Sequence, residues 1–166
     1  MKGGNHKMKT VGLACTGGGI KAISNLGVIK AFEELGIKIS AISGTSIGSC
    51  IAVLYAMGYT VEEILEKMKY YAIQYPKFGL IDKILAPIKL VCRGGGKNPK
   101  IIETTIKDSA LNKGKQYMNE IEMPIFIPAL DITFKETIYY TSKLIKDEKC
   151  FTDRTIWEAV KSSCTL

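Results

Sequence analysis

Two short turns carry the residues whose types and spacing could do chemistry. The pattern G-x-S-x-G at residues 44–48 allows a tight strand-to-helix turn that exposes its central Ser46 as a nucleophile. This predicted nucleophile elbow consists of Gly44, Thr45, Ser46, Ile47 and Gly48. The second turn, Gly17-Gly18-Gly19, can present unobstructed N–H groups to an oxyanion or to a phosphate. A nucleophile and an oxyanion hole together predict an acyl hydrolase.

The glycine turn also allows a binding function without catalysis. Gly17, Gly19 and Ala22 satisfy the pattern G-x-G-x-x-G/A after a strand, which is typical of dinucleotide-binding sites. Such sites need an acidic residue at the end of the second strand, and residues 39–43 contain none. Lys21 is a candidate anion contact, with a solvated surface lysine as the alternative. The rival hypothesis is therefore a non-catalytic module that binds an anionic lipid head group or a nucleotide at this turn.

The sequence does not offer a histidine for a Ser-His-Asp triad. The single histidine is His6, in a segment (residues 1–9) whose composition predicts a flexible tail. A triad needs a histidine that the fold holds firmly. The base for Ser46 must therefore be a carboxylate or a lysine.

The elements around the two turns alternate between strand and helix. Residues 11–15 and 37–42 are short apolar runs typical of buried parallel strands. Apolar residues spaced by three or four predict a helix from Ile20 to Leu35, and an almost wholly apolar helix follows over 47–57. This order predicts an α/β fold with a mainly parallel central sheet.

The second half of the chain is predicted less regularly. A capping box at Thr60 starts a helix that runs to about Gln74, and the apolar piece Leu80–Val91 is either a packed connection or a mobile flap. A further helix is predicted over 99–111. Strands over 123–132 and 136–142 should pair antiparallel, and a last helix over 155–162 should be capped by Thr152-Asp153.

Composition narrows the class of protein. Hydrophobic residues make up 46% of the chain, charged residues 23%, and the net charge of +7 comes from dispersed lysines. This pattern does not favour nucleic-acid binding, whereas it suits an anionic membrane surface. Five cysteines without a C-x-x-C pair predict reduced thiols and no metal site, and no cofactor is expected. Because we see no apolar leader or span, we expect a cytoplasmic protein that contacts membranes only peripherally.

Four motifs in order resemble the patatin-like phospholipase family. They are G-G-G-x-K at 17–21, G-T-S-I-G at 44–48, P-x-x-x-x-A-L-D-I-T at 124–133 and W-E-A-V-K-S-S-C at 157–164. The resemblance implies a three-layer α/β/α fold and lipid acyl hydrolysis by a Ser–Asp dyad. It implies Ser46 as the nucleophile and the amides of Gly17, Gly18 and Gly19 as the oxyanion hole. The family more often has arginine where Lys21 stands.

One departure from the family concerns the base. The family's catalytic aspartate lies in an Asp-Gly-Gly or Asp-Gly-Ala motif, and the sequence has no Asp-Gly pair. Asp131 is expected to hydrogen-bond the turn that follows it. A role as a substitute base is the minor alternative. We therefore expect residues 10–166 to be the N-terminal portion of a single domain, nearly inactive alone, with the aspartate beyond residue 166. The alternative is a natural short form that is inactive. Lipid or phospholipid substrates and transient membrane contact are expected, while the oligomeric state is not indicated.

Overall fold

The computed structural model describes residues 9–74 and 100–165 of the 166-residue chain. Three predictions fall wholly or mainly outside the described residues. They are the tail predicted over residues 1–9, of which only residue 9 is described, the connection or flap at Leu80–Val91, and the start of a helix at Pro99.

A five-stranded sheet organises the described residues. Its strands, in spatial as well as chain order, are β1 (Thr10–Cys15), β2 (Lys38–Gly44), β3 (Ile125–Asp131), β4 (Glu136–Thr141) and β5 (Cys150–Phe151). Only the β3–β4 pair is antiparallel; β1–β2, β2–β3 and β4–β5 are parallel. The predicted α/β class, the mainly parallel sheet and the antiparallel hairpin are confirmed. The strand β5 has no sequence signal, because two residues are too few to show an alternation.

Within residues 9–74 and 100–165, five α-helices connect or follow these strands. They are α1 (Ser24–Glu34), α2 (Ile47–Ala56), α3 (Val61–Gln74), α4 (Lys100–Asn112) and α5 (Ile156–Cys164), with 3₁₀ turns at Gly19–Ile23 and Met118–Glu120. The capping box at the start of α3 is present, since Thr60 N–H donates to Glu63 and Glu63 N–H donates to the Thr60 hydroxyl.

Two predicted helix starts are wrong. The α-helix expected from Ile20 begins at Ser24, because Gly18 and Gly19 have positive φ and the chain leaves them through a 3₁₀ turn. The dipole of α1 therefore starts about a turn further from the glycines than expected, and its effect there is small. The last helix is capped by Thr155, whose side chain accepts from Glu158 N–H at 3.3 Å, and not by Thr152-Asp153.

The apolar helix α2 lies at the centre of the core, as predicted. All eight residues from 47 to 54 are buried, and the helix contacts β1, β2 and β3 as well as each of the other four helices. Burial on all sides explains why its sequence shows almost no polar face.

The helices cover one face of the sheet. They contact one another, and the strand residues on the covered face, such as Ile42, Ile125 and Ile127, are buried. The residues between them, such as Phe126 and Pro128, lie on the opposite face of the sheet and are only half-buried. The second helical layer of the expected three-layer arrangement does not lie within residues 9–74 and 100–165. No helix in those two ranges is long and apolar enough to cross a membrane.

Candidate active site

Ser46 lies between the end of β2 and the start of α2, where the chain turns sharply. Its backbone has φ 54° and ψ −128°, and positive φ costs a non-glycine residue about 1–3 kcal/mol. Such strain persists only where the surrounding structure imposes it. The same sharp strand-to-helix turn is what a G-x-S-x-G elbow uses to expose its serine. Ser46 itself is half-buried.

The two outer glycines of the elbow are required by close packing. A Cβ built on Gly44 would overlap the carbonyl oxygen of Gly48, and one built on Gly48 would lie 2.5 Å from the carbonyl oxygen of Cys15. These neighbours are backbone atoms, which cannot rotate away. The start of α2 therefore lies so close to β1 and β2 that only glycine fits at positions 44 and 48.

The glycine turn lies directly beside Ser46. A Cβ built on Gly17 would lie 3.3 Å from the Cβ of Ser46 and 3.1 Å from the carbonyl oxygen of Thr45. Gly18 and Gly19 have φ values of 107° and 63°, a region that glycine adopts without strain. The two predicted reactive turns are thus brought together at the carboxyl ends of neighbouring parallel strands.

Where the glycine turn meets the elbow, several backbone N–H groups have no acceptor among the described residues. Neither residues 9–74 nor residues 100–165 accept a hydrogen bond from the amides of Gly17, Gly18, Gly19 or Ile47. Ile47 is the first residue of α2, so its N–H has no acceptor within the helix. These donors are available to a negatively charged oxygen.

Asn25, in the first turn of α1, ties down the glycine turn. Its side-chain amide donates to the carbonyl oxygens of Thr16 (3.2 Å) and Ala22 (2.7 Å), while its Oδ1 accepts from Thr16 N–H at 3.4 Å. Asn25 is buried, and both residues that it bonds flank the three glycines. It therefore fixes the two ends of an otherwise unconstrained loop.

Ser163, near the end of α5, accepts a hydrogen bond from the backbone of Ser46. The Ser46 N–H donates to the Ser163 hydroxyl oxygen at 3.1 Å. On the other side of the elbow, the Ser46 carbonyl accepts from Ser49 N–H at 2.8 Å and from the Ser49 hydroxyl. The strained residue is therefore held by hydrogen bonds at both of its backbone polar groups.

No described side chain acts as a base toward Ser46. Within residues 9–74 and 100–165, the Ser46 hydroxyl has no hydrogen-bond partner. The Asp131 carboxylate accepts from the N–H groups of Thr133 (2.8 Å) and Phe134 (3.1 Å), which is the turn-bonding role that the sequence predicts for it. Lys21 is exposed and forms no ion pair with any residue in those ranges, so its anion contact stays a prediction.

The thiols near the elbow are not alternative nucleophiles. Burial raises the pKa of the Cys15 thiol to about 11. The pKa of the fully buried Cys50 thiol is raised by a hydrogen bond with Cys164 and by burial. Both groups stay protonated at neutral pH, and the thiol form is a poor nucleophile. Cys15 and Cys50 are both buried, and neither forms a disulfide with another described residue.

Sequence reasoning missed Asn25, Ser163 and the amide of Ile47. A weak signal existed for the first two, because each is a polar residue at an apolar position of a helix. Asn25 comes four residues before buried Ile29, and Ser163 comes seven residues after buried Ile156. A buried polar side chain needs a partner, but the sequence alone does not say which one.

Comparisons with known proteins agree with this geometry. The family model for patatin-like phospholipase matches residues 13–166. The chain is 50% identical over 64 residues to lysophospholipase NTE1 of Kluyveromyces lactis, and 47% identical over 64 residues to lysophospholipase NTE1 of Saccharomyces cerevisiae. Each match covers 39% of this chain and 4% of the relative, so the chain spans only a small part of those proteins.

Two solved structures have a similar fold. The crystal structure of the type III effector protein ExoU has a TM-score of 0.56 at 16% identity, covering 93% of this chain and 40% of that one. The ExoU–SpcU complex from the type III secretion system of Pseudomonas aeruginosa gives the same TM-score and identity, and 36% of its chain is covered. At this level of identity the likeness concerns the fold alone.

Proposed function

The chain belongs to the patatin-like phospholipase family, and we propose that it is a serine lipid acyl hydrolase with Ser46 as its nucleophile. One observation carries the proposal: the strained Ser46 lies against Gly17, in a corner where four amides have no acceptor among the described residues. A serine on a strained elbow beside free N–H donors is the arrangement that acyl transfer needs.

The mechanism would be a double displacement. The Ser46 Oγ attacks the ester carbonyl carbon, and the carbonyl oxygen becomes an oxyanion bound by the amides of Gly17, Gly18 and Gly19, with the amide of Ile47 as a further donor. The intermediate collapses, the C–O bond to the leaving alcohol breaks, and an acyl-serine ester remains. Water then attacks that ester, and the free fatty acid leaves.

A base must take the Ser46 proton and pass it to the leaving alcohol. The resemblance assigns this role to an aspartate in an Asp-Gly-Gly or Asp-Gly-Ala motif, which the sequence does not contain. Asp131 is a poor substitute, because its carboxylate is already bonded to two turn amides. We therefore assign the nucleophile and the oxyanion donors to this chain and assign the base to none of its described residues.

The substrate class follows from the named relatives. Because the NTE1 proteins are lysophospholipases, we propose lysophospholipids and related carboxylic esters of lipids as substrates. Such substrates are presented at membranes, so the protein would bind a membrane surface transiently, helped by the net charge of +7. The cytoplasmic location remains a prediction from the sequence.

The experiment compares the full-length protein with its Ser46→Ala variant. We expect hydrolysis of lysophosphatidylcholine and of 4-nitrophenyl butyrate to fall at least about 10³-fold, and labelling by a fluorophosphonate probe to disappear. The control is Ser40→Ala, since Ser40 is an exposed serine of β2 whose hydroxyl, among the described residues, bonds only the Val11 carbonyl. Full activity of Ser46→Ala would end the proposal. Binding of a phosphate-bearing ligand without any labelling would instead support the non-catalytic module.

A further inference from the structure

We propose that Ser163 is a positioning residue for the nucleophile: its hydroxyl oxygen holds the Ser46 N–H and thereby keeps the elbow in its strained conformation. Ser163 has no catalytic role of its own in this proposal, which rests on Ser46 being the nucleophile. The direct observation is the 3.1 Å hydrogen bond between residues that are 117 positions apart in the chain.

The hydrogen bond matters because of where it acts. With φ at 54°, Ser46 departs from the conformation that a serine prefers, and rotation toward negative φ would relieve the strain. That rotation would turn the N–H away from Ser163 and move the side chain with it. The Ser46 N–H has no other acceptor among the described residues, so the relaxed state would lose a hydrogen bond that the strained state keeps.

The acceptor itself is held firmly. Ser163 is only 9% exposed and lies on the same face of α5 as Ile156, Ala159 and Val160, which are fully buried. The helix packs against α2, α4 and β3. Because the face of α5 that carries Ser163 is packed along its whole length, the Ser163 hydroxyl oxygen has a fixed position. It can therefore hold the Ser46 N–H while the backbone of Ser46 is strained.

The consequence concerns the chemical step. Replacing Ser163 by alanine leaves the elbow free to relax, so the Oγ of Ser46 spends less time at the distance from the oxyanion donors that attack requires. Lipid binding does not use this bond. We therefore expect kcat to fall while KM stays nearly constant, by about 3- to 10-fold for one hydrogen bond.

The experiment uses three variants of the full-length protein. Ser163→Ala removes the acceptor, whereas Ser163→Thr keeps a hydroxyl and should restore most of the rate. The matched control is Ser162→Ala on the same helix, because the Ser162 hydroxyl is bonded to Tyr140 at 3.2 Å and does not touch the elbow. We expect slower fluorophosphonate labelling and lower kcat only for Ser163→Ala, although Ser162→Ala should also lose some stability.

A second measurement does not depend on activity. Amide hydrogen exchange by NMR should show the Ser46 N–H protected in the parent and in Ser162→Ala, and exchanging faster in Ser163→Ala. If labelling fails even in the parent but this change is seen, the hydrolase proposal fails, and what stands is that Ser163 holds the backbone of Ser46. Unchanged protection of Ser46 in Ser163→Ala would overturn the inference, as would an equal loss of kcat in Ser162→Ala.

Discussion

At Gly48, the absence of a methyl group decides whether α2 can begin beside β1. The Cβ that alanine would add lies 2.5 Å from the carbonyl oxygen of Cys15 and 2.6 Å from that of Thr16. Both atoms belong to the main chain that leads into the glycine turn. A change at position 48 would therefore act on the nucleophile elbow and on the oxyanion donors together.

Gly48→Ala is expected to destabilise the protein by about 1–3 kcal/mol, because backbone must shift to accept the methyl group. The matched control is Gly27→Ala in α1, where a Cβ meets nothing within 4 Å. There alanine should stabilise the helix by about 0.5–1 kcal/mol. Urea unfolding of both variants measures the difference, and equal effects at the two positions would contradict the packing argument.

The sequence was most informative where a residue type is irreplaceable. The G-x-S-x-G pattern and the glycine turn indicated a candidate site, and the structure brings Ser46 and Gly17 together there. The catalytic role of Ser46 stays a prediction. Asn25 and Ser163 could not be predicted, since many polar residues occupy helix faces and only the fold shows that these two reach a backbone group on another element.

At the level of elements, α1 positions the glycine turn through the hydrogen bonds of Asn25. Periodicity predicts that helix correctly from Leu26 onward but places its start too early, because apolar spacing is similar in a 3₁₀ turn followed by an α-helix. Because α1 begins at Ser24, Asn25 lies in its first turn, where it donates to Thr16 before the glycines and to Ala22 after them.

Asn25→Ala is expected to loosen the glycine turn without removing any donor from it. The variant loses three hydrogen bonds, so we expect a stability loss of about 1–3 kcal/mol. We also expect labelling of Ser46 to slow several-fold because the oxyanion donors are no longer fixed. Ser24→Ala is the control, since the exposed Ser24 hydroxyl bonds only the Lys21 carbonyl. A normal labelling rate in Asn25→Ala would show that the glycine turn keeps its shape without this side chain.

At the level of the whole molecule, the order of the described elements other than β5 was predictable, because the longer strands and helices show apolar runs or apolar spacing typical of their type. The number of helical layers that cover the sheet was harder to predict. Alternate residues of β3 are buried under the helices, while those of opposite parity, such as Phe126, are half-buried. A strand covered on one face and a strand covered on both can carry similar short apolar runs, so the sequence of β3 does not distinguish two layers from three.

The core also predicts how the molecule responds to alkaline pH. Burial raises the pKa of the Cys15 thiol from 9.0 to about 11, so between these values the unfolded chain has lost this proton while the folded chain retains it. Stability from this group is therefore complete below about pH 9 and is lost as pH rises toward 11.

Urea unfolding under reducing conditions should show a smaller decline over this range for Cys15→Ala than for the parent, even though the variant starts less stable. All other side chains are the same in both proteins, so the difference between the two slopes isolates the thiol. Cys150→Ala is the comparison: Cys150 is only half-buried, and burial together with the Asp147 carboxylate also raises its pKa, so its removal should reduce the slope in the same direction but by less. Parallel declines for Cys15→Ala and the parent would mean that Cys15 ionises in the folded protein as readily as in the unfolded chain.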